Sequence, residues 1–194
     1  MGAMAALCGP AAADNDEDGD ESRILAHPTF EIYADEAPDA CVSGALQIRV
    51  SLTNVFAHGI VKLDVYGGDP DLFLEKKGKL RKVRVPAAPA PQRICIDVPA
   101  PGTYAVTSYH DLDADRDLDK KWNFKPKEPY GMSNNVEIKE LRLPKFSEAA
   151  FDVPAAGADI DLVYYGKKAG RPDKVKDFDG DDMRDAHDGA DDDS

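Results

Sequence analysis

Between residues 46 and 53 apolar and polar side chains alternate without a break: Leu46, Ile48, Val50 and Leu52 against Gln47, Arg49, Ser51 and Thr53. A period of two puts every second side chain on one face of an extended chain, so this stretch predicts a strand with one buried face. The pattern recurs along the chain. Val61, Leu63 and Val65 alternate with Lys62 and Asp64, and residues 80–85 form a third run. Ile94, Ile96 and Val98 form a fourth, with Cys95 on the opposite face, and Tyr104, Val106 and Ser108 a fifth. Phe151 with Val153, then Ile160, Leu162 and Tyr164, complete the set. Turn residues separate the runs: 54–59, Gly67-Gly68-Asp69-Pro70, the proline-rich 86–91, and 99–102. Residues 71–79 and 144–148 read as short helical turns, and 120–136 as a long loop. About seven short strands with no long helix predict an all-β antiparallel sandwich over residues 42–166. Residues 23–41 read as an N-terminal arm or an added edge strand.

The formal charge of −13 does not belong to that sandwich. Residues 14–21 carry six acids and no base, and residues 177–194 carry nine aspartates and one arginine. The rest is near neutrality. The acidic linker 14–22 and the tail 167–194 therefore read as disordered, because they repel themselves and have little apolar surface to bury. The absence of a basic face argues against a nucleic-acid partner. No apolar run of about 18 residues is present, so no membrane-spanning helix is expected. Residues 1–13 are small and apolar and end in Ala11-Ala12-Ala13, like the cleavage end of a secretory signal peptide without its basic start.

Cys8 falls inside that segment, which leaves Cys41 and Cys95. In an exported chain, periplasmic or extracellular, two cysteines are most simply a disulfide; two buried free thiols are the alternative.

The one concentrated chemical feature of the domain is His110-Asp111-Leu112-Asp113-Ala114-Asp115-Arg116-Asp117-Leu118-Asp119. Neighbouring carboxylates at roughly 6 Å repel by under about 1 kcal/mol in water, and by more when partly dry. A bound cation turns that repulsion into coordination, and hard oxygens at alternate loop positions suit calcium. Asp111, Asp113 and Asp115 match the first, third and fifth positions of the helical calcium loop, and Asp119 the ninth. The sixth is Arg116 rather than glycine, and the twelfth is Trp122 rather than an acid. Asp117 or Asp119 would have to act as the late ligand. The plain alternative is a solvated turn, since aspartate favours turns by itself. Magnesium is a second cation choice.

Several segments in order resemble a known family. These are Pro101-Gly102-Thr103-Tyr104-Ala105-Val106, Tyr109-His110-Asp111 with its acidic turn, Tyr130-Gly131-Met132-Ser133-Asn134-Asn135, and residues 144–151. Together they resemble the bacterial domain of unknown function numbered 2141, over roughly residues 42–166. The resemblance implies an Ig-like or transthyretin-like sandwich, mostly found on exported proteins, with no activity attached. Paired cysteines at the places of Cys41 and Cys95 are similar to one branch of the family. The family's turns usually carry Gly and Asn where this chain has Asp and Arg116, so this turn is more anionic.

Three functional readings follow. The leading one is a non-catalytic cell-envelope domain, monomeric, with calcium ordering the aspartate loop. The second is a binding module for a glycan or peptide, using the 120–135 loop with His110, Trp122, Tyr130, Asn134 and Asn135; Phe124 and Met132 add to its aromatic and apolar character. The third is hydrolysis. The transthyretin-like fold hosts a ureide hydrolase ending in Tyr-Arg-Gly-Ser, but Tyr164-Tyr165-Gly166-Lys167 departs from that motif. No G-x-S-x-G or H-E-x-x-H is present, and the four histidines are scattered.

Overall fold

A computed structural model describes residues 25–27, 30–118, 126–138, 142–166 and 169–170. The expectations about residues 1–22, Asp119, Trp122, Phe124 and the acidic tail lie outside the described residues.

The described strands, in chain order, are β1 (Leu25–His27), β2 (Phe30–Ile32), β3 (Gln47–Leu52), β4 (Ile60–Gly67), β5 (Lys79–Pro86), β6 (Gln92–Asp97), β7 (Gly102–Asp111), β8 (Tyr130–Met132), β9 (Phe151–Val153) and β10 (Ala158–Leu162). A single helical turn, α1 (Phe146–Ala149), precedes β9. Short 3-10 turns occupy Pro70–Leu72 and Lys76–Gly78, where helical turns were expected. The fold is an all-β sandwich. One sheet has the order β10-β3-β6; the other has β5-β4-β7-β8, with β9 also paired to β7. Eight strands thus form the two layers, one more than the alternation predicts. The extra strand is β8, which lies in the stretch read as a loop. Its three residues are all buried, so no alternation marks it.

One pairing departs from the antiparallel expectation. β10 runs parallel to β3, with Ile160 opposite Val50. The chain reaches β10 from β9 in the opposite sheet. No hairpin turn joins β10 to β3, so nothing imposes the antiparallel sense that a tight turn would.

The core lies between the two sheets, where the inward sets predicted by alternation meet. Ile48, Val50 and Leu52 face Val61, Leu63, Val65, Val83 and Val106, with Ile94, Ile96 and Leu162 completing the layer. Each such side chain contributes about 1.5–3 kcal/mol when fully buried. A second apolar cluster covers the other side of the larger sheet, with Tyr66, Phe73, Ala105, Tyr109, Tyr130 and Met132 beneath Ile138 and Ala149.

The described part of the N-terminal arm is docked on the sandwich. Cys41 and Cys95 form a disulfide that ties it to β6. Gln47 is buried because its amide is fully used: Nε2 donates to Ala40 O and Asp97 Oδ1, each at 2.7 Å, and Oε1 accepts from Val42 N. On the other sheet the arm meets β5. Glu36, 1% exposed, pairs there with Arg84 and with Lys82 at 2.6 Å.

Candidate metal centre

The aspartate turn begins as β7 leaves the sheet. β7 ends at Asp111, paired with Ile60, and successive side chains along it alternate between faces. His110 and Asp111 are both 0% exposed and therefore point opposite ways. His110 enters the inter-sheet core between the rings of Phe56 (4.7 Å) and Tyr164 (5.9 Å). Its Nε2–H donates to His58 O at 2.6 Å. Burial holds the imidazole down to about 4, so it is neutral. The nitrogen donor nearest to the aspartates in sequence is thus turned away from them.

Asp111 starts the turn. Its Oδ2 accepts from Arg116 N at 2.9 Å, closing the chain on itself, while Oδ1 is buried with no hydrogen-bond partner. Asp113 Oδ1 accepts weakly from Asp115 N at 3.4 Å, and Asp115 Oδ1 accepts from Asp117 N at 2.8 Å. These local bonds wind the turn so that one carboxylate oxygen each from Asp111, Asp113 and Asp115 falls within 4.8 Å of the others. Calcium holds its oxygens at about 2.3–2.6 Å, so three oxygens this close fit around one ion. Asp117 is exposed and stands outside the group.

Arg116 occupies the position where a helical calcium loop has glycine, and its backbone adopts a glycine-like φ of 73°. The surroundings hold it there. Its carbonyl accepts from Arg84 Nη2 at 3.1 Å and from Tyr109 Oη at 2.9 Å. Its guanidinium reaches Glu36 Oε2 at 2.6 Å and lies 4.7 Å over the Tyr33 ring. The one basic side chain inside the turn is therefore directed to the arm. Gly59 supports the turn from behind: at φ 69°, a Cβ there would come within 2.0 Å of Asp111 O.

Glu128 is the residue that the sequence reading missed. The chain returns antiparallel to β7, with His110 N donating to Pro129 O at 2.8 Å. This brings Glu128, 7% exposed, to the start of the turn, where Oε1 accepts from Leu112 N at 2.9 Å. Its Oε2 is buried without a partner. Burial pushes the Glu128 carboxyl up to about 8, against the pull of the Leu112 N–H, and Asp111, Asp113 and Asp115 push it the same way. Burial likewise lifts Asp111 to about 7; the Arg116 N–H opposes this, and Asp115 and Asp113 add to it.

The described side chains among those suggested for a glycan or peptide are otherwise employed. Tyr130 is 3% exposed, and its hydroxyl accepts from Ile138 N at 3.1 Å. Asn134 and Asn135 sit at φ 58° and 52°, left-handed values that asparagine tolerates well. Asn134 Nδ2 donates to Ala150 O at 2.8 Å, and Asn135 Oδ1 accepts from Val163 N at 2.8 Å. Gly131 is required by close packing, since a Cβ there would lie 2.2 Å from Leu162 Cδ2. The Gly131-to-Asn135 motif joins β8 to β9 and β10.

No curated protein and no solved structure matches this chain. A family model does match, from residue 50 to residue 161, a span that contains the second half of β3, most of β10 and everything between, the aspartate turn and Glu128 included. On that match the chain belongs to the family described as "Uncharacterized protein conserved in bacteria (DUF2141)".

Proposed function

We propose that this chain is a non-catalytic, exported cell-envelope domain whose aspartate turn binds calcium. The observation that carries the reading is the fully buried Asp111 carboxylate. Its Oδ1 lacks a partner, and its neighbours Asp113 and Asp115 each bring an oxygen into the same 4.8 Å space. An ionised carboxylate buried without compensation is costly. A cation at this point supplies the compensation and removes the repulsion among the three acids. An all-oxygen donor set excludes soft-metal chemistry, and an irregular turn suits the loose coordination of calcium better than the strict octahedron of magnesium. Export is supported by the Cys41–Cys95 bridge, which suits an oxidising compartment.

The test is a calcium titration followed by melting temperature. Saturation at about 100 times Kd stabilises by about 2.7 kcal/mol, a rise of several degrees for a domain of this size. The rise should vanish in Asp111→Asn and in Asp113→Asn. A flat Tm up to millimolar calcium would sink the proposal.

A further inference from the structure

We infer that Glu128 is a fourth carboxylate ligand of the same cation, delivered by the returning chain rather than by the turn. The inference rests on the calcium reading above and extends it to a residue 17 positions beyond Asp111. Two buried carboxylates meet at Leu112. Asp111 precedes it in the chain, and Glu128 is hydrogen-bonded to its N–H. Each uses one oxygen on a backbone N–H, Arg116 N for Asp111 and Leu112 N for Glu128. Each leaves its second oxygen, Asp111 Oδ1 and Glu128 Oε2, buried and without a partner. Arg116, the base inside the turn, is committed to Glu36. A divalent cation is the group that would satisfy both bare oxygens at once.

The geometry also answers the open question of the closing acid. A helical calcium loop supplies its last carboxylate from the helix that follows. In this sequence the residue at that place is Trp122 rather than an acid. The chain that pairs with the end of β7 at Pro129 supplies instead an acid beside the start of the turn, Glu128. Glu128 lies outside the 4.8 Å grouping of the three aspartates. Asp113 and Asp115 are the exposed members of the set, while Asp111 and Glu128 are the buried ones. The resulting site has four formal negative charges and favours calcium or a trivalent lanthanide over monovalent ions.

Isothermal titration of the full chain with calcium, beside the melting temperature in chelator, tests this. Glu128→Gln preserves shape and removes the charge. The expected result is calcium binding weakened tenfold or more, together with a chelator Tm equal to or above that of the unaltered chain, because a buried carboxyl oxygen without a partner has gone. A merely structural role for Glu128 would lower that Tm. Glu137→Gln, at an exposed position, should bind as the unaltered chain does. If Glu128→Gln does not fold, Glu128→Asp takes the same tenfold threshold, since it keeps the charge and loses one methylene of reach. Weakening of less than tenfold overturns the role of Glu128 and leaves the three-aspartate site standing. Absence of calcium binding in the unaltered chain overturns both.

Discussion

His110 and Asp111 are adjacent and both fully buried, and burial penalises the charged form of each, so rising pH acts on stability in opposite directions through the base and the acid. Burial raises the folded-state values of Asp111 and Glu128 to about 7 and about 8, above those of the unfolded chain. The folded chain then holds more protons than the unfolded one, and stability falls as pH rises through those values. His110 is depressed to about 4 from 6.5. Its contribution is complete above 6.5 and is lost as pH falls toward 4. The two effects oppose each other in acid, but between about pH 6.5 and 8 the carboxylates act alone. In chelator, the unfolding free energy should therefore drop by on the order of a few kcal/mol across that window. Urea unfolding at its two ends measures this. A flat profile would mean that these carboxyls ionise without cost. With calcium present the trend reverses for binding, since the ion competes with the same protons and its affinity rises with pH.

At the level of elements, the strands were legible wherever one face is buried and the other is wet, as in β3 and β6. β4 is buried on both faces and still alternates, because its second face carries Lys62 and Asp64. Coverage of both faces hid a strand only where no polar residue marks the second face. β8 is the example: Tyr130, Gly131 and Met132 are all buried, so a period of two has nothing to display. Three of the four proposed ligands were legible for a related reason. Asp111, Asp113 and Asp115 are neighbours in sequence, whereas Glu128 reaches them only through strand pairing. The choice of turn residue was legible only in part. Arg116 looked like a poor substitute for glycine because its support from Arg84, Tyr109 and Glu36 comes from distant segments. Glu36 is the centre of that support. Burial opposes its ionisation, but Lys82, Arg84 and Arg116 together hold its carboxyl below the usual range. Glu36→Gln should cost about 3 kcal/mol, because Arg84 is then left buried without its counter-charge. Urea unfolding reads this directly. A loss under about 1 kcal/mol would show that the arm docks mainly through Ile32 and the disulfide.

For the whole molecule, the same arm resolves a problem common to sandwiches, the open edge. β5 and β6 are edge strands of the two sheets, and unpaired edges invite pairing with other chains. The arm bridges them. Asp39 N donates to Cys95 O at 2.9 Å on β6, and the Asp39 carboxylate accepts from Asp97 N at 2.7 Å and from Arg81 of β5 at 3.1 Å. The disulfide fastens the same junction across a sequence separation of 54. A bridge of that span restricts the unfolded chain by about 4 kcal/mol in the chain-entropy model. The paired change Cys41→Ser/Cys95→Ser should lower the unfolding free energy by about that amount. It should leave the rise of Tm with calcium in place, because the turn is held by Arg84, Tyr109 and Glu128 through contacts that do not pass through the bridge. Denaturant unfolding with and without calcium measures both quantities. Loss of the calcium response in the serine variant would mean that the turn depends on the arm's covalent tether, and that the noncovalent contacts of Glu36 and Asp39 do not hold the arm in place alone.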